Sequence, residues 1–219
     1  MKKINRTLLQ ITENYYWLWF AQLCAVTDFL CFRCLGVKAI VSWDEARHGI
    51  SAYEMLKNKQ FLVNTYLGKP DYWNVKPPLS FLSVAAGFVL CGYNAVGLRF
   101  FSALLYLLTV IFTALFARKY SRLASLLTMV FLCANYFPFK AHLARAGDAD
   151  SLYLLLFTLA MLCMLKVRDN GRWLYACGLF FSLAFLTKSF HAGLIAAVGG
   201  LFLLLTKELF HQKPKRWLI

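Results

Sequence analysis

Acidic residues are scarce in this chain, and charged residues of either sign are few. The 219 residues include 10 Asp and Glu against 24 Lys and Arg, a formal net charge of +14, and charged residues make up only 16%. A soluble domain carries about 25% charged and roughly 45–50% apolar residues, whereas this chain is 60% apolar. The shortage of charge excludes a water-facing globular domain, and the apolar excess excludes disorder. A soluble nucleic-acid binder would share the basic balance but not the long uncharged runs, so we predict an integral membrane protein with no nucleic-acid partner.

The cysteines lack the pairing that a redox or metal site would need. There are seven, and Cys31 and Cys34 form one CxxC spacing inside an apolar run, with no second pair. We interpret the cysteines as packed helix residues, because free cysteine behaves as a small buried hydrophobe. A clear cleavage site after the first apolar run is also lacking, so that run is expected to remain as an anchor.

Six apolar runs are long enough to cross a bilayer, some with the help of flanking Lys or Arg that can snorkel. We therefore predict an all-α integral membrane fold with about six transmembrane helices, in a single membrane domain over residues 1–219. The predicted spans are 15–41, 100–117, 123–139, 151–165, 173–187 and 189–206.

A seventh apolar run, 79–91, has 13 residues, a length typical of an interfacial or re-entrant helix. The N-terminus, the connections 118–122 and 166–172 and the tail 213–216 are all basic. The positive-inside rule places these four segments in the cytoplasm, which requires that 79–91 does not cross. An even number of spans then separates the N-terminus from the connection 118–122. The first loop, 42–98, and the connection 140–150 are therefore both predicted to lie outside.

The first external loop opens with clustered charges. Asp44, Glu45 and Arg47 stand directly after the first span. Ser42 and Glu45 have the spacing of a capping box at the start of an interfacial helix, which is the simpler interpretation. Two adjacent carboxylates and an arginine exceed what capping requires. Further on, Lys76 precedes two prolines that stiffen its segment. Two interpretations are open: a fixed cation that binds a phosphate, or a lysine that snorkels to the lipid headgroups.

The next external connection carries Arg145, Asp148 and Asp150. One aspartate could cap the following helix, but polar groups at the membrane more often mark a substrate or ion pathway. Carboxylates can deprotonate an acceptor hydroxyl, and Lys or Arg can hold a phosphate. This combination favours group transfer from a lipid-linked phosphate. An ion-coupled transporter is a less favoured alternative, because its charges would more often lie in the middle of a helix, as only Asp28 and Arg33 do here.

Five short motifs follow one another along the chain. They are Trp43-Asp44-Glu45-Ala46-Arg47-His48, Glu54-Met55-Leu56, Lys76-Pro77-Pro78-Leu79, Ala144-Arg145-Ala146-Gly147-Asp148-Ala149-Asp150 and Phe185-Leu186-Thr187-Lys188. Their order and spacing resemble the GT-C type glycosyltransferases that use polyprenyl-phosphate sugars. The similarity is greatest to the bacterial aminoarabinose transferases of lipid A and to the dolichyl-phosphate-mannose protein mannosyltransferases, and it extends from about Trp43 to Lys188. The resemblance implies interfacial helices in the first external loop.

The resemblance also implies roles for single residues. Asp44 matches the family's catalytic aspartate, the base for the acceptor, and Asp150 matches the second acidic residue, with Asp148 as a close rival. Lys76 matches the lysine that contacts the donor phosphate. We therefore predict Asp44 and Asp150 as catalytic residues. The predicted substrate-binding residues are Glu45, Arg47, Lys76, Arg145 and Asp148.

The predicted function is sugar transfer with inversion from a polyprenyl-phosphate donor to a hydroxyl of a lipid, glycan or protein. The expected location is the bacterial inner membrane, among membrane lipids, with the site on the external, periplasmic face. No cofactor is assigned, and a divalent metal is left open, because Asn74 and Val75 precede Lys76 where the aminoarabinose branch commonly has an acidic residue. His48 also stands where a tyrosine is usual.

Members of the family are longer than this chain. The resemblance therefore implies the N-terminal portion of a larger transferase, or a site that a second chain completes with the missing spans. A truncated protein that keeps the fold without the activity is the remaining alternative.

Overall fold

The computed structural model describes residues 10–40, 43–72, 74, 76–140 and 143–207. Within these ranges the chain is mostly helical, with one two-stranded hairpin in the first loop. Ser42, the basic N-terminal residues and the basic tail 213–216 lie outside the described residues. The helices are α1 (Tyr16–Phe32), α2 (Asp44–Asn58), α3 (Pro78–Cys91), α4 (Ala95–Ala117), α5 (Arg122–Ala134), α6 (Phe137–Lys140), α7 (Asp150–Leu165), α8 (Trp173–Lys188) and α9 (Gly193–Leu205). The strands β1 (Thr65–Tyr66) and β2 (Lys69–Pro70) pair antiparallel.

Polar side chains cap the N-terminal ends of the central helices α4 and α5. The Asn94 side chain accepts hydrogen bonds from the amides of Val96 and Gly97, both at 2.9 Å, and begins α4. Ser121 accepts the amide of Ala124 at 2.9 Å and begins α5. Such caps satisfy amides that have no partner within the helix.

Helix α1 is shorter than the predicted span 15–41. It ends at Phe32, and Cys34 adopts a left-handed conformation with φ of 53°. Beyond that point, backbone carbonyls between residues 33 and 39 accept hydrogen bonds from two arginines elsewhere in the chain. These side chains replace the amide partners that a continuing helix would supply.

Helix α4 is the centre of the bundle and packs against α1, α3, α5 and α7. One apolar cluster joins α1, α4 and α5, and a second joins α7, α8 and α9. Helices α3 and α4 approach each other closely at Gly87 and Gly97. A Cβ at Gly87 would lie 2.1 Å from the carbonyl oxygen of Gly97, so this approach requires glycine.

The helices run between two polar ends. Asp150, the first residue of α7, pairs with Lys188 at the end of α8, and we name this end the site end. At the other end, Lys119 after α4 approaches Asp169 after α7 at 3.4 Å, and we name it the basic end, because it carries the connections 118–122 and 166–172. The 16 residues of α7 separate the two ends by about 24 Å.

Two helical runs are apolar and long enough to cross a membrane, Ala95–Ala117 and Trp173–Leu205. The second run reverses at the 3-10 turn Ser189–Ala192. The part after the turn, α9, starts at the site end, where Tyr153 of α7 donates to the His191 carbonyl at 2.6 Å. It reaches the basic end, where Phe202 of α9 and Arg168 line one cavity.

The other apolar helices have 13 to 17 residues, which is about 20–26 Å against a hydrocarbon core of about 30 Å. The number of six spans therefore stays a prediction. The short helix α3 packs against α2, since Phe81 stacks on His48 and Phe88 lies near Gly49. The expectation that 79–91 does not cross stays a prediction.

Candidate functional site

One lysine joins two carboxylates at the site end. The Lys76 Nζ lies 2.9 Å from Asp148 Oδ1 and 3.5 Å from Asp44 Oδ1. The three residues come from the start of α2, the segment before α3 and the turn before α7, so the fold brings together parts of the chain that are up to 104 residues apart. We name Asp44, Lys76 and Asp148 the charged triad.

The triad members differ in exposure. The Asp44 side chain is 48% exposed, that of Lys76 21%, and that of Asp148 5%. Asp148 is thus a buried anchor, while Asp44 is open to a molecule arriving from outside the bundle. This difference separates a carboxylate that can react from one that holds its partner in place.

Short-range contacts fix the backbone of Lys76. Its amide donates to the Asn74 side chain at 3.3 Å, and its carbonyl accepts from the Asn64 side chain at 3.1 Å. Pro77 follows with an extended backbone, and Pro78 begins α3, a position that proline favours. The lysine therefore extends from a constrained segment.

His48 packs beneath the triad and is 1% exposed. Its ring stacks on Phe81 with centroids 4.3 Å apart, Nε2 lies 3.2 Å from Ser80 Oγ, and Nδ1 lies 3.7 Å from Asp148 Oδ1. Burial lowers the pKa of His48 to about 4, against the opposing effect of Asp148. The ring is therefore neutral at pH 7.

Asp148 is ionised in this setting. Burial alone would raise the pKa of its carboxyl, but the pKa is lowered overall by the neighbouring His48 and Lys76 and by the amide of Ala149, which donates to Oδ1 at 2.7 Å. Because His48 is neutral at pH 7, Lys76 and the amide supply that stabilisation near neutrality.

Stability should fall as the pH drops from about 6.5 to about 4. The unfolded chain protonates His48 near pH 6.5, whereas the folded chain does so only near pH 4. In this window the unfolded state binds more protons, so the free energy of unfolding decreases with falling pH, by about 3 kcal/mol for this one group. Denaturation in detergent at pH 7.5, 5.5 and 4.5 measures the slope.

His48→Phe retains the stacking surface and should flatten this slope. His191→Gln is the matched control, because the His191 side chain is exposed. A slope as steep in His48→Phe as in the unaltered chain would contradict the assignment.

Glu45 lies in a buried ion pair with Arg99, and each side chain is only 1% exposed. Arg99 donates from Nε to Glu45 Oε1 at 2.6 Å and from Nη2 to Oε2 at 2.9 Å. Three further donations reach the carbonyls of Leu35, Lys38 and Ala39 at 2.8 to 3.0 Å. All five N–H donors of the guanidinium are thereby used.

The same ion pair also supports the turn that carries Asp148. Glu45 Oε1 accepts the amide of Gly147 at 3.0 Å. Glu45, predicted to bind substrate, therefore contacts protein groups, and its contacts connect α2, α4 and the turn before α7. This is a positioning role for the charged triad.

Arg47 contacts the hairpin of the first loop. Its guanidinium bonds Asp71 with two hydrogen bonds, at 2.6 and 3.0 Å, and lies over the ring of Tyr66 at 4.9 Å. The hydrogen bonds to Asp71 raise the pKa of Arg47 further. The Arg47 side chain is 20% exposed, so it retains a small open surface beside Asp44.

Asp150 and Arg145 lie apart from the triad. Asp150 pairs with Lys188, which also lies 5.9 Å from the Tyr153 ring. Arg145 donates to the carbonyls of Arg33 and Cys34 at 2.8 and 3.2 Å. The sequence left open whether Asp150 or Asp148 is the second acidic residue of the family. Asp148 contacts Lys76, and Asp150 contacts Lys188.

No group of three His, Cys, Asp or Glu side chains is arranged to hold a metal ion within residues 10–40, 43–72, 74, 76–140 and 143–207. The two triad carboxylates both face Lys76. The divalent metal that the sequence left open stays untested.

Arg99 and Ser80 support the site but were not among the predicted site residues. Arg99 is the single charged residue between Lys76 and Arg118, and a lone charge beside apolar runs signals a buried partner. Ser80 gives no comparable signal, because a serine in the first turn after two prolines is ordinary. Its hydroxyl lies 3.0 Å from the Pro77 carbonyl and near His48.

Known proteins resemble this chain in sequence and in fold. The family model described as dolichyl-phosphate-mannose-protein mannosyltransferase matches residues 75–219. An uncharacterised protein of Aquifex aeolicus (strain VF5) is 32% identical over 177 residues, covering 79% of this chain and 34% of that protein.

Two crystal structures of ArnT from Cupriavidus metallidurans share the fold. The apo structure has a TM-score of 0.76 and 23% identity, covering 86% of this chain and 36% of that one. The structure bound to undecaprenyl phosphate has a TM-score of 0.71 and 20% identity, covering 87% and 36%. The chain thus spans about a third of the length of the proteins it matches. From the match over residues 75–219, the chain belongs to the dolichyl-phosphate-mannose-protein mannosyltransferase family.

Proposed function

We propose that this chain forms the catalytic end of a membrane glycosyltransferase that takes a sugar from a polyprenyl-phosphate donor, with inversion. The observation that carries the proposal is the charged triad, in which one lysine lies between an open and a buried carboxylate. The triad stands at one end of an apolar bundle, where a membrane-embedded lipid phosphate would meet it.

In the proposed reaction, Asp44 removes the proton from an acceptor hydroxyl. The resulting oxygen forms a bond to the anomeric carbon while the bond from that carbon to the donor phosphate oxygen breaks. The polyprenyl phosphate leaves with the electron pair of that bond, and attack from the opposite face inverts the anomeric carbon. A phosphate leaves as an anion, so a nearby cation is of more use than an acid.

Lys76 is the proposed cation. Its contact with Asp44 is long, at 3.5 Å, while its contact with buried Asp148 is short, at 2.9 Å. The ammonium can therefore exchange Asp44 for a donor phosphate and retain Asp148. That exchange frees the Asp44 carboxylate to act as a base.

Arg47 is proposed to assist at the donor side, through the exposed part of its guanidinium next to Asp44. Asp150 and Lys188 are proposed to form the far side of the site, toward the acceptor. The acceptor class, whether lipid, glycan or protein, and the external location of the site belong to the proposal as well. It places the site on the periplasmic face of a bacterial inner membrane.

Donor binding tests the proposal without requiring the remainder of a longer enzyme. Labelled undecaprenyl phosphate should bind the detergent-solubilised chain, and undecaprenol, which lacks the phosphate, should not compete. Lys76→Met should weaken binding about 10- to 100-fold, because it removes a charge-assisted hydrogen bond to the phosphate. Lys69→Met is the matched control, since Lys69 is an exposed lysine of the same loop. Equal affinity for the two lipids, or unchanged affinity in Lys76→Met, would overturn the donor assignment.

A further inference from the structure

A second feature of the bundle lies at the basic end, remote from the charged triad. It is a groove of about 300 Å³ between α4, α7 and α8, with apolar walls that include Phe112, Leu159 and Phe180. None of its lining residues belongs to the site described above. We name it the basic-end groove.

The groove extends from the end of the bundle into its apolar layer. The lining runs from Lys119, just after α4, back to Phe112, from Lys166, just after α7, back to Leu159, and on α8 from Trp173 to Phe180. Each stretch spans eight residues, a helical rise of about 10 Å. The three helices therefore form a slot about 10 Å deep, which is polar only at its mouth.

The mouth is positively charged. Lys119 and Lys166 flank it, and an adjoining cavity of about 560 Å³, which shares Phe116 and Lys119 with the groove, adds Arg168 and Asp169. The described lining of the two cavities thus has three cationic side chains and one carboxylate. An anion is therefore attracted to the place where the apolar slot opens.

The contacts that the two lysines make are weak. Lys119 lies 3.4 Å from Asp169, and these side chains are 47% and 68% exposed, so the pair contributes little. Lys166 lies over the ring of Trp173 at 4.3 Å, a contact that leaves the ammonium hydrogens on the far side open to another partner. Trp173 itself suits the level of lipid headgroups.

We propose that the basic-end groove binds one anionic phospholipid of the surrounding membrane. The phosphate lies between Lys119 and Lys166, and one acyl chain follows the slot past Leu159 and Phe180. Basic pockets between membrane helices bind anionic headgroups for the same electrostatic reason. The inference is independent of sugar transfer, since it uses the opposite end of the bundle.

Native mass spectrometry of the chain in a neutral detergent tests the proposal, with phosphatidylglycerol or phosphatidylcholine added. One phosphatidylglycerol should stay bound to the unaltered chain at concentrations where phosphatidylcholine does not. The double variant Lys119→Gln/Lys166→Gln should retain it about 30-fold less, since each lysine near an anionic headgroup contributes a factor of about five.

Two further variants separate this groove from general basicity. Lys57→Gln/Lys59→Gln removes the same charge from exposed lysines near the site end and should retain the lipid as the unaltered chain does. Leu159→Trp, which fills the slot and leaves the mouth intact, should lose it. Equal retention of the two phospholipids, equal losses in the two lysine pairs, or full displacement by inorganic phosphate would each overturn the proposal.

Discussion

Replacing Asp44 with asparagine is expected to lower the rate of sugar transfer about 100- to 10,000-fold, the usual contribution of a general base. The substitution retains size and hydrogen bonding but removes the proton acceptor. Because the Asp44 side chain is 48% exposed and Lys76 keeps its contact with Asp148, the fold should be unaffected.

The loss in Asp44→Asn should appear in kcat, with donor affinity nearly unchanged. Lys76→Met should instead weaken donor binding. The two variants therefore distinguish the proposed base, Asp44, from the proposed phosphate-binding cation, Lys76. Transfer is measured in membranes that hold the assembled enzyme, with release of polyprenyl phosphate as the readout.

Asp169→Asn is the control for charge, since Asp169 is an exposed aspartate at the basic end. Asp44→Glu should recover part of the rate, because it restores a carboxylate. Normal transfer by Asp44→Asn protein would eliminate Asp44 as the base. An equal loss in Asp169→Asn would attribute the effect to charge alone.

Arg99→Met should cost about 3–5 kcal/mol of unfolding free energy, the range for breaking a buried ion pair from one side. Glu45 would remain buried as an unpaired carboxylate. The carbonyls of Leu35, Lys38 and Ala39 would also lose a donor. Few other substitutions in the described residues would affect as many partners at once. Thermal or denaturant unfolding in detergent measures the loss.

Arg122→Met is the matched control, because Arg122 pairs with Glu13 at 3.1 Å where the side chains are 43% and 48% exposed. It should cost under about 1 kcal/mol. The double variant Arg99→Met/Glu45→Leu should be less destabilised than the two single costs added, since neither charge is then buried alone. A loss in Arg99→Met no greater than in Arg122→Met would show that the buried pair is not a determinant of stability.

The sequence could predict which segments meet at the site, but not how their side chains pair. The alternation of apolar runs with basic connections predicts helices, and the motifs containing Asp44, Lys76 and Asp148 stand in loops of the same predicted side. Asp148 and Asp150 are two residues apart, yet one contacts Lys76 and the other Lys188. The direction of each depends on the turn before α7, which no local pattern specifies.

The end of α1 was poorly predictable for the same reason. The apolar run 15–41 reads as one span, yet α1 ends at Phe32. Carbonyls beyond that end accept hydrogen bonds from Arg99 and Arg145, which are at least 60 residues away in sequence. Local propensity contains no information about such partners. The partner of Glu45 was unpredictable in the same way, because Arg99 lies 54 residues downstream.

The buried ion pair between Arg99 and Glu45 fixes the start of α2 against α4. Asp44 is the immediate neighbour of Glu45, so its backbone cannot shift without breaking the pair or carrying α4 with it. Lys76 extends from a loop segment, and its ammonium is 3.5 Å from Asp44. In the proposed reaction, the Asp44 carboxylate would therefore stay in place when a donor binds, and the Lys76 ammonium would turn from Asp44 to the phosphate while it keeps its contact with Asp148.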